Sequence, residues 1–135
     1  MSDKNWNGRF TQKTDRMVEA FTASIGFDHR LYPYDIEGSI AHCRMLAKCG
    51  IITQANAAAI LGAVAEIRAA GVDALGYQPG VEDLLFRIES QIIEMIGPDY
   101  GGNLQLARSR NDLGHALARM ALRDALLTLH DDLLE

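Results

Sequence analysis

Apolar residues recur along this chain at intervals of three and four, the period of an α-helix rather than of a strand. The clearest case is Leu84, Leu85, Ile88, Ile92 and Met95, which predicts a helix opening near Val81 and stopped by Gly97-Pro98. Ile60, Leu61, Val64 and Ile67 form an earlier stripe, with Thr53 as its cap and Gly71 as its stop. Before that, Leu31, Tyr34, Gly38, Ala41 and Met45 mark one face of a helix running from about Asp28 to Gly50. A short first helix runs from a Thr14 cap through Met17, Val18, Ala20 and Phe21 towards Ser24. Residues 1–11 show no period and predict an extended arm anchored by Trp6 and Phe10, and GVDALGYQPG (71–80) has the turn residues of a loop. With no alternating segment, repeat or low-complexity tract, the predicted architecture is all-α.

The last helix differs from the others. Leu113, Met120, Leu127 and Leu134 fall at heptad spacing with Leu117 between them, while Leu122, Leu126, Leu129 and Leu133 lie on another side. A helix apolar on two sides needs several neighbours to cover it. Four short upstream helices can cover one side only, so the pattern reads as cut off at Glu135. Three regions are expected: an arm (1–11), a helical domain (12–107) and the start of a long helix (108–135).

Composition narrows the chemistry. The net charge of −5 argues against nucleic-acid or membrane-surface binding, which needs a basic face. Cys43 and Cys49 sit six apart on one predicted helix, on different faces, so two free thiols are expected. No Cys/His set with metal-ligand spacing and no phosphate loop occurs, so neither a metal nor another cofactor is expected. The N-terminus lacks an apolar signal core and no run reaches membrane-spanning length; a soluble, cytoplasmic protein is expected.

One stretch, GGNLQLARSRND (101–112), concentrates polar chemistry at the start of the last helix. A helix N-terminus offers unpaired N–H groups and partial positive charge, and Arg110 adds a guanidinium able to grip a carboxylate with two bonds. Ser109 and Asn111 add neutral donors. The plainer reading is that Ser109, Asn111 or Asp112 caps the helix while the arginines face water. His29, His42, His115 and His130 are all expected in structural or surface roles; His115, one turn beyond Asn111, is the one of them closest to where an anion would bind.

Four segments, WNGRF (6–10), ASIGFDHRLYPYDIEGSIAHCRMLAKCGIIT (23–53), EDLLFRIESQIIEMIG (82–97) and LARSRND (106–112), together resemble the argininosuccinate lyases of the fumarase/aspartase superfamily. The resemblance implies the N-terminal helical domain of such a lyase plus the opening of its first central-bundle helix. It implies a β-elimination that breaks a C–N bond and releases fumarate, converting argininosuccinate to arginine. The partners implied are a small dicarboxylate or amino-acid substrate and further copies of the chain, in a homotetramer.

Residue by residue, the resemblance carries substrate binding onto Ser109, Arg110 and Asn111. It also carries contact with the substrate's amino-acid portion onto Ser24 and Asp28, where capping of the second helix is the competing reading. The catalytic serine loop and general-acid histidine belong to parts of the family pattern that this chain lacks, so the chain alone is expected to be inactive. Two places depart from the pattern. Gln105-Leu106 stands where the family has His-Thr, and Leu84-Leu85 follows Glu82-Asp83 where the family often has His at the second position. Neither replacement can carry charge, which points to a divergent branch. The alternative is a non-enzymatic helical interaction domain of lyase ancestry.

Overall fold

The structure is a computed structural model that describes residues 15–76 and 83–134. The predicted arm and the Thr14 cap lie outside the described residues. So do Val81, Glu82 and residues 77–80 of the loop.

Helix α1 (Arg16–Thr22) is opened by Asp15, whose Oδ1 accepts from the Met17 N–H at 2.7 Å. Its Met17 and Phe21 are exposed. The single helix expected from Asp28 to Gly50 is divided. A one-turn helix α2 (Ile25–Asp28) and a 3-10 turn (His29–Leu31) precede α3 (Tyr32–Lys48). Pro33 gives the reason: it has no N–H and belongs in a first helical turn. Gly50, at φ +70°, follows the end of α3 as expected.

Helix α4 (Gln54–Ala70) has the predicted cap and stop. Thr53 Oγ1 accepts from the Asn56 N–H at 3.1 Å, and Gly71 takes φ +82°. The loop that follows winds into a 3-10 turn, Val72–Leu75, and buries Leu75. Helix α5 (Leu84–Ile96) is capped by Asp83, which accepts from the Phe86 N–H at 2.7 Å. Gly97 ends it, but Pro98 at once opens another turn, α6 (Pro98–Gly101). Helix α7 (Arg110–Leu134) completes the described chain. Among the described residues there is no strand, and no helix is long and apolar enough to cross a membrane.

Helices α3, α4 and α5 enclose the main core of Ile36, Cys43, Leu46, Ile60, Val64, Ile88, Ile92 and Leu104. This corrects the face expected of α3. Its core stripe is Tyr32, Ile36, Ser39, Cys43 and Leu46, whereas Met45 and Ala41 are exposed. Leu31, Tyr34 and Gly38 do serve a second contact, where α3 meets the start of α7 in a smaller cluster with Leu85, Leu113 and Leu117. A Cβ at Gly38 would lie 3.3 Å from Leu113 Cδ1, so a bare backbone lets these helices approach. The other apolar residues of α7 do not share this burial: Leu122, Leu126, Leu127, Leu129, Leu133 and Leu134 are all more than half exposed. Cys43 is buried and Cys49 exposed, both as free thiols.

A tight backbone approach joins α5 to α6. A Cβ on Gly101 would stand 2.9 Å from Ile93 Cα and 3.0 Å from its nitrogen, backbone atoms that cannot rotate away. Gly101→Ala is therefore expected to cost about 1–3 kcal/mol of folding stability. Equilibrium denaturation checks this, and an unchanged midpoint would mean that the two helices separate freely.

Candidate substrate-binding cleft

Asp28 begins the site. It is only 8% exposed, and its Oδ2 accepts two hydrogen bonds. One comes from Ser24 Oγ at 2.6 Å and the other from the Leu84 N–H at 3.2 Å. Leu84 is the first residue of α5, whose opening N–H groups have no partner within the helix. Asp28 therefore helps cap a helix 56 residues away rather than its own. Ser24 precedes α2 without a side-chain capping bond, because its hydroxyl turns to Asp28. The expected capping of the second helix by this pair is corrected accordingly.

Arg110 reaches the same place from the start of α7. Its Nη1 lies 2.9 Å from Asp83 Oδ2, and its guanidinium stands 5.8 Å from the centre of the Phe86 ring. Ser24, Asp28, Asp35, Asp83 and Arg110 line one cleft of about 180 Å³, with Leu31, Leu84, Leu85, Leu113 and Leu117 as its apolar wall. Three of the five residues implied by the resemblance thus meet across the fold. Ser109 and Asn111 do not line this cleft and are exposed at the start of α7. There Ser109 Oγ accepts from the Asn111 N–H at 3.2 Å, and Asp112 Oδ2 accepts from the Ser109 N–H at 3.3 Å. Ser109 and Asp112 thus cap the start of α7 in the manner of a capping box, with the serine accepting from the second rather than the third N–H of the helix.

Arg108 is not turned to water. Its Nε and Nη2 donate to Gln105 Oε1 at 3.0 and 2.8 Å, and Nη1 reaches the Gly38 carbonyl at 3.5 Å. Burial lowers its pKa from the ordinary value, with Asp35 and Glu89 opposing. Gln105, at one departure from the family pattern, is thus the holder of this arginine. Leu106 uses its carbonyl, which accepts from His42 Nε2 at 2.9 Å. Together these bonds fasten the turn before α7 onto α3. At its end, Ala107 takes φ +57°, a left-handed conformation uncommon for a residue with a side chain. His115 Nδ1 bonds the Asn111 carbonyl at 2.9 Å and does not line the cleft.

Asp35 is the member of the site that the sequence reading passed over. It is 1% exposed; Oδ1 accepts from Ser39 Oγ at 3.1 Å, and Oδ2 has no hydrogen-bond partner among the described residues. Burial pushes its pKa up to about 6, with nearby Asp83 and Asp28 adding to the rise and the Ser39 bond and Arg108 opposing it. A signal was present: Asp35 lies one helical turn before Ser39 and two before Cys43, inside the core stripe of α3. An acid in a core register is the irregularity that marks it. Asp83 carried the weaker signal of a helix cap.

The cleft is therefore amphoteric. Acids from α2, α3 and the start of α5 surround a space whose opposite side offers one guanidinium. Such a site suits a small ligand bearing both a cation and a carboxylate. Among the described residues no cluster of His, Cys, Asp and Glu is arranged to hold a metal ion.

The chain is similar in sequence to known proteins. The argininosuccinate lyase of Syntrophobacter fumaroxidans is 50% identical over 130 residues, covering 94% of this chain and 27% of that protein. That of Syntrophotalea carbinolica is 51% identical over 125 residues, covering 92% and 27%. That of Nitrosococcus oceani is 46% identical over 124 residues, covering 91% and 26%. The chain thus spans about a quarter of the length of these curated relatives. The family model described as "Lyase" matches residues 8–135. A match across nearly the whole chain, on an all-helical fold, shows that this chain belongs to the lyase family.

Proposed function

We propose that this chain is the N-terminal part of an argininosuccinate-lyase-like enzyme, which cleaves the C–N bond of argininosuccinate by β-elimination to give arginine and fumarate. The observation that carries the reading is the cleft. Ser24, Asp28 and Arg110, separated by up to 86 positions, line one small space in a chain half identical to enzymes of that name. In this scheme Ser24 and Asp28 hold the cationic amino-acid end of the substrate. Arg110, with Ser109 and Asn111 beside it, faces the end that becomes fumarate. Removing a proton next to a carboxylate builds negative charge there, and preorganised donors lower the barrier to it.

Under the same proposal the enzyme is a cytoplasmic homotetramer. The exposed leucines of α7 support association, because a helix of this pattern gains most by packing against others. In this scheme the groups that move the protons come from the rest of the enzyme, and the chain by itself is expected to turn over nothing.

The test is to incubate the complete gene product with argininosuccinate and follow fumarate by its ultraviolet absorbance, with arginine counted separately. Equal release of both is the expected result. No fumarate from folded protein would reject the proposal.

A further inference from the structure

Among the described residues, one side chain that lines the cleft has an acceptor without a partner. Asp35 lines it from α3, is almost wholly buried, and has no hydrogen bond at Oδ2. Buried carboxylates are normally paired or fully hydrogen-bonded, because an unpaired charge in an apolar setting is costly. The two arginines beside the cleft do not meet the need. Arg108 is held by Gln105 and the Gly38 carbonyl, and Arg110 by Asp83. Nor do the acids alongside supply a proton donor, since Asp28 and Asp83 already accept from Ser24, Leu84, Phe86 and Arg110.

We infer that Asp35 is a specificity-determining residue of this cleft: its free carboxylate oxygen, together with Asp28, receives the cationic nitrogen of the ligand. The inference rests on reading the cleft as the seat of the substrate's amino-acid end, and it adds a residue to that end. The ligand chemistry is a compact N–H cation, either an ammonium or a guanidinium. Such a group completes the hydrogen bonding of Oδ2 and neutralises a charge that Ser39 and Arg108 offset only in part. Arg110, bonded to Asp83 through Nη1 only, keeps its other N–H groups for the anionic end.

Proton linkage gives a signature that a purely structural residue lacks. The groups around Asp35 are Ser39 on its own helix, Asp28 from α2, Asp83 from the start of α5, and Arg108 from the turn before α7. With its pKa up at about 6, Asp35 is largely ionised at neutral pH and neutral below that value. A cation binds the ionised form. Affinity for a cation is therefore constant above about pH 6 and falls as pH drops below it, with proton release on binding in that lower range.

The experiment is calorimetric titration of the complete gene product, wild type and Asp35→Asn, with L-arginine, L-norvaline and fumarate at pH values above and below about 6. The amide keeps the shape and removes the charge. The expected result is a loss of about tenfold or more in arginine affinity for the variant at neutral pH. Fumarate affinity is expected to stay unchanged, and the fall in arginine affinity at low pH to vanish. Norvaline keeps the ammonium and lacks the guanidinium. A matching loss with norvaline assigns the contact to the ammonium, and a loss with arginine alone assigns it to the guanidinium; both support the inference. Equal arginine binding by variant and wild type overturns it, as does an equal loss of arginine and fumarate, which marks a structural residue. Absence of arginine binding by wild type also overturns it. Charge-dependent arginine binding without fumarate production would leave the inference standing and reject the proposed reaction.

Discussion

Arg110→Ala in the complete gene product is expected to lower fumarate release by about 10²–10³-fold, the typical loss on removing one preorganised donor from a developing anion. The geometry sets that expectation apart from a loss of folding. Arg110 pairs with Asp83 at 2.9 Å, but its side chain is 42% exposed and that of Asp83 21%. An ion pair so open to water contributes at most about 1 kcal/mol. Asp83 also keeps its capping bond to Phe86 when the arginine is gone. Turnover should therefore collapse while the denaturation midpoint moves little. Arg110→Lys should recover only part of the activity, because an ammonium restores the charge and not the planar fork. Steady-state turnover measured beside equilibrium denaturation decides the matter, and near-normal turnover in Arg110→Ala would remove this residue from the role.

The second large effect is on stability. The folded protein raises the Asp35 pKa to about 6, above the ordinary carboxylate value. Between those two values the native state holds a proton that the unfolded chain has lost, so stability must fall as pH rises through that window. The ionised form is the costly one: a rise of this size corresponds to about 3 kcal/mol, fully felt above about pH 6 and absent at pH below the unfolded value. Glu89, whose pKa burial also raises, adds to the trend with the same sign. Asp35→Asn should thus be more stable than wild type at neutral pH by about 1–3 kcal/mol, less whatever its amide loses for want of acceptors. The advantage should disappear as pH falls towards the ordinary carboxylate range. Denaturation curves of both proteins across that range provide the check, and a pH-independent difference would show that ionisation of Asp35 is not its source. A stabilising substitution that weakens ligand binding is the behaviour expected of a functional group held at the expense of the fold.

These two residues differ in how visible they were in the chain. Arg110 belongs to a dense local pattern, a glycine-rich turn followed by Arg, Ser, Arg, Asn and Asp at a helix start, and its chemistry could be read from neighbours in sequence. Asp35 was hidden by a misjudged face of α3. Leu31, Tyr34 and Gly38 look like one stripe and do pack, but against α7, while the main core takes the side bearing Ile36, Cys43 and Leu46. A helix gripped from two directions has no single apolar stripe, so periodicity alone could not separate its faces.

What the sequence determined by itself is what depends on near neighbours. The all-α class, the Thr53 cap, the stops at Gly71 and Gly97 and the long final helix all follow from spacing, capping and backbone preference within a few residues. The tertiary structure decided the rest. It turned Asp28 from a cap of its own helix into a partner for the Leu84 N–H, tied Arg108 to Gln105 and the Gly38 carbonyl, and left one oxygen of buried Asp35 without a donor among the described residues. Those outcomes depend on which side chains the packing of α3, α5 and α7 brings together. No spacing rule encodes them, because the partners are chosen by contacts between segments far apart in the chain.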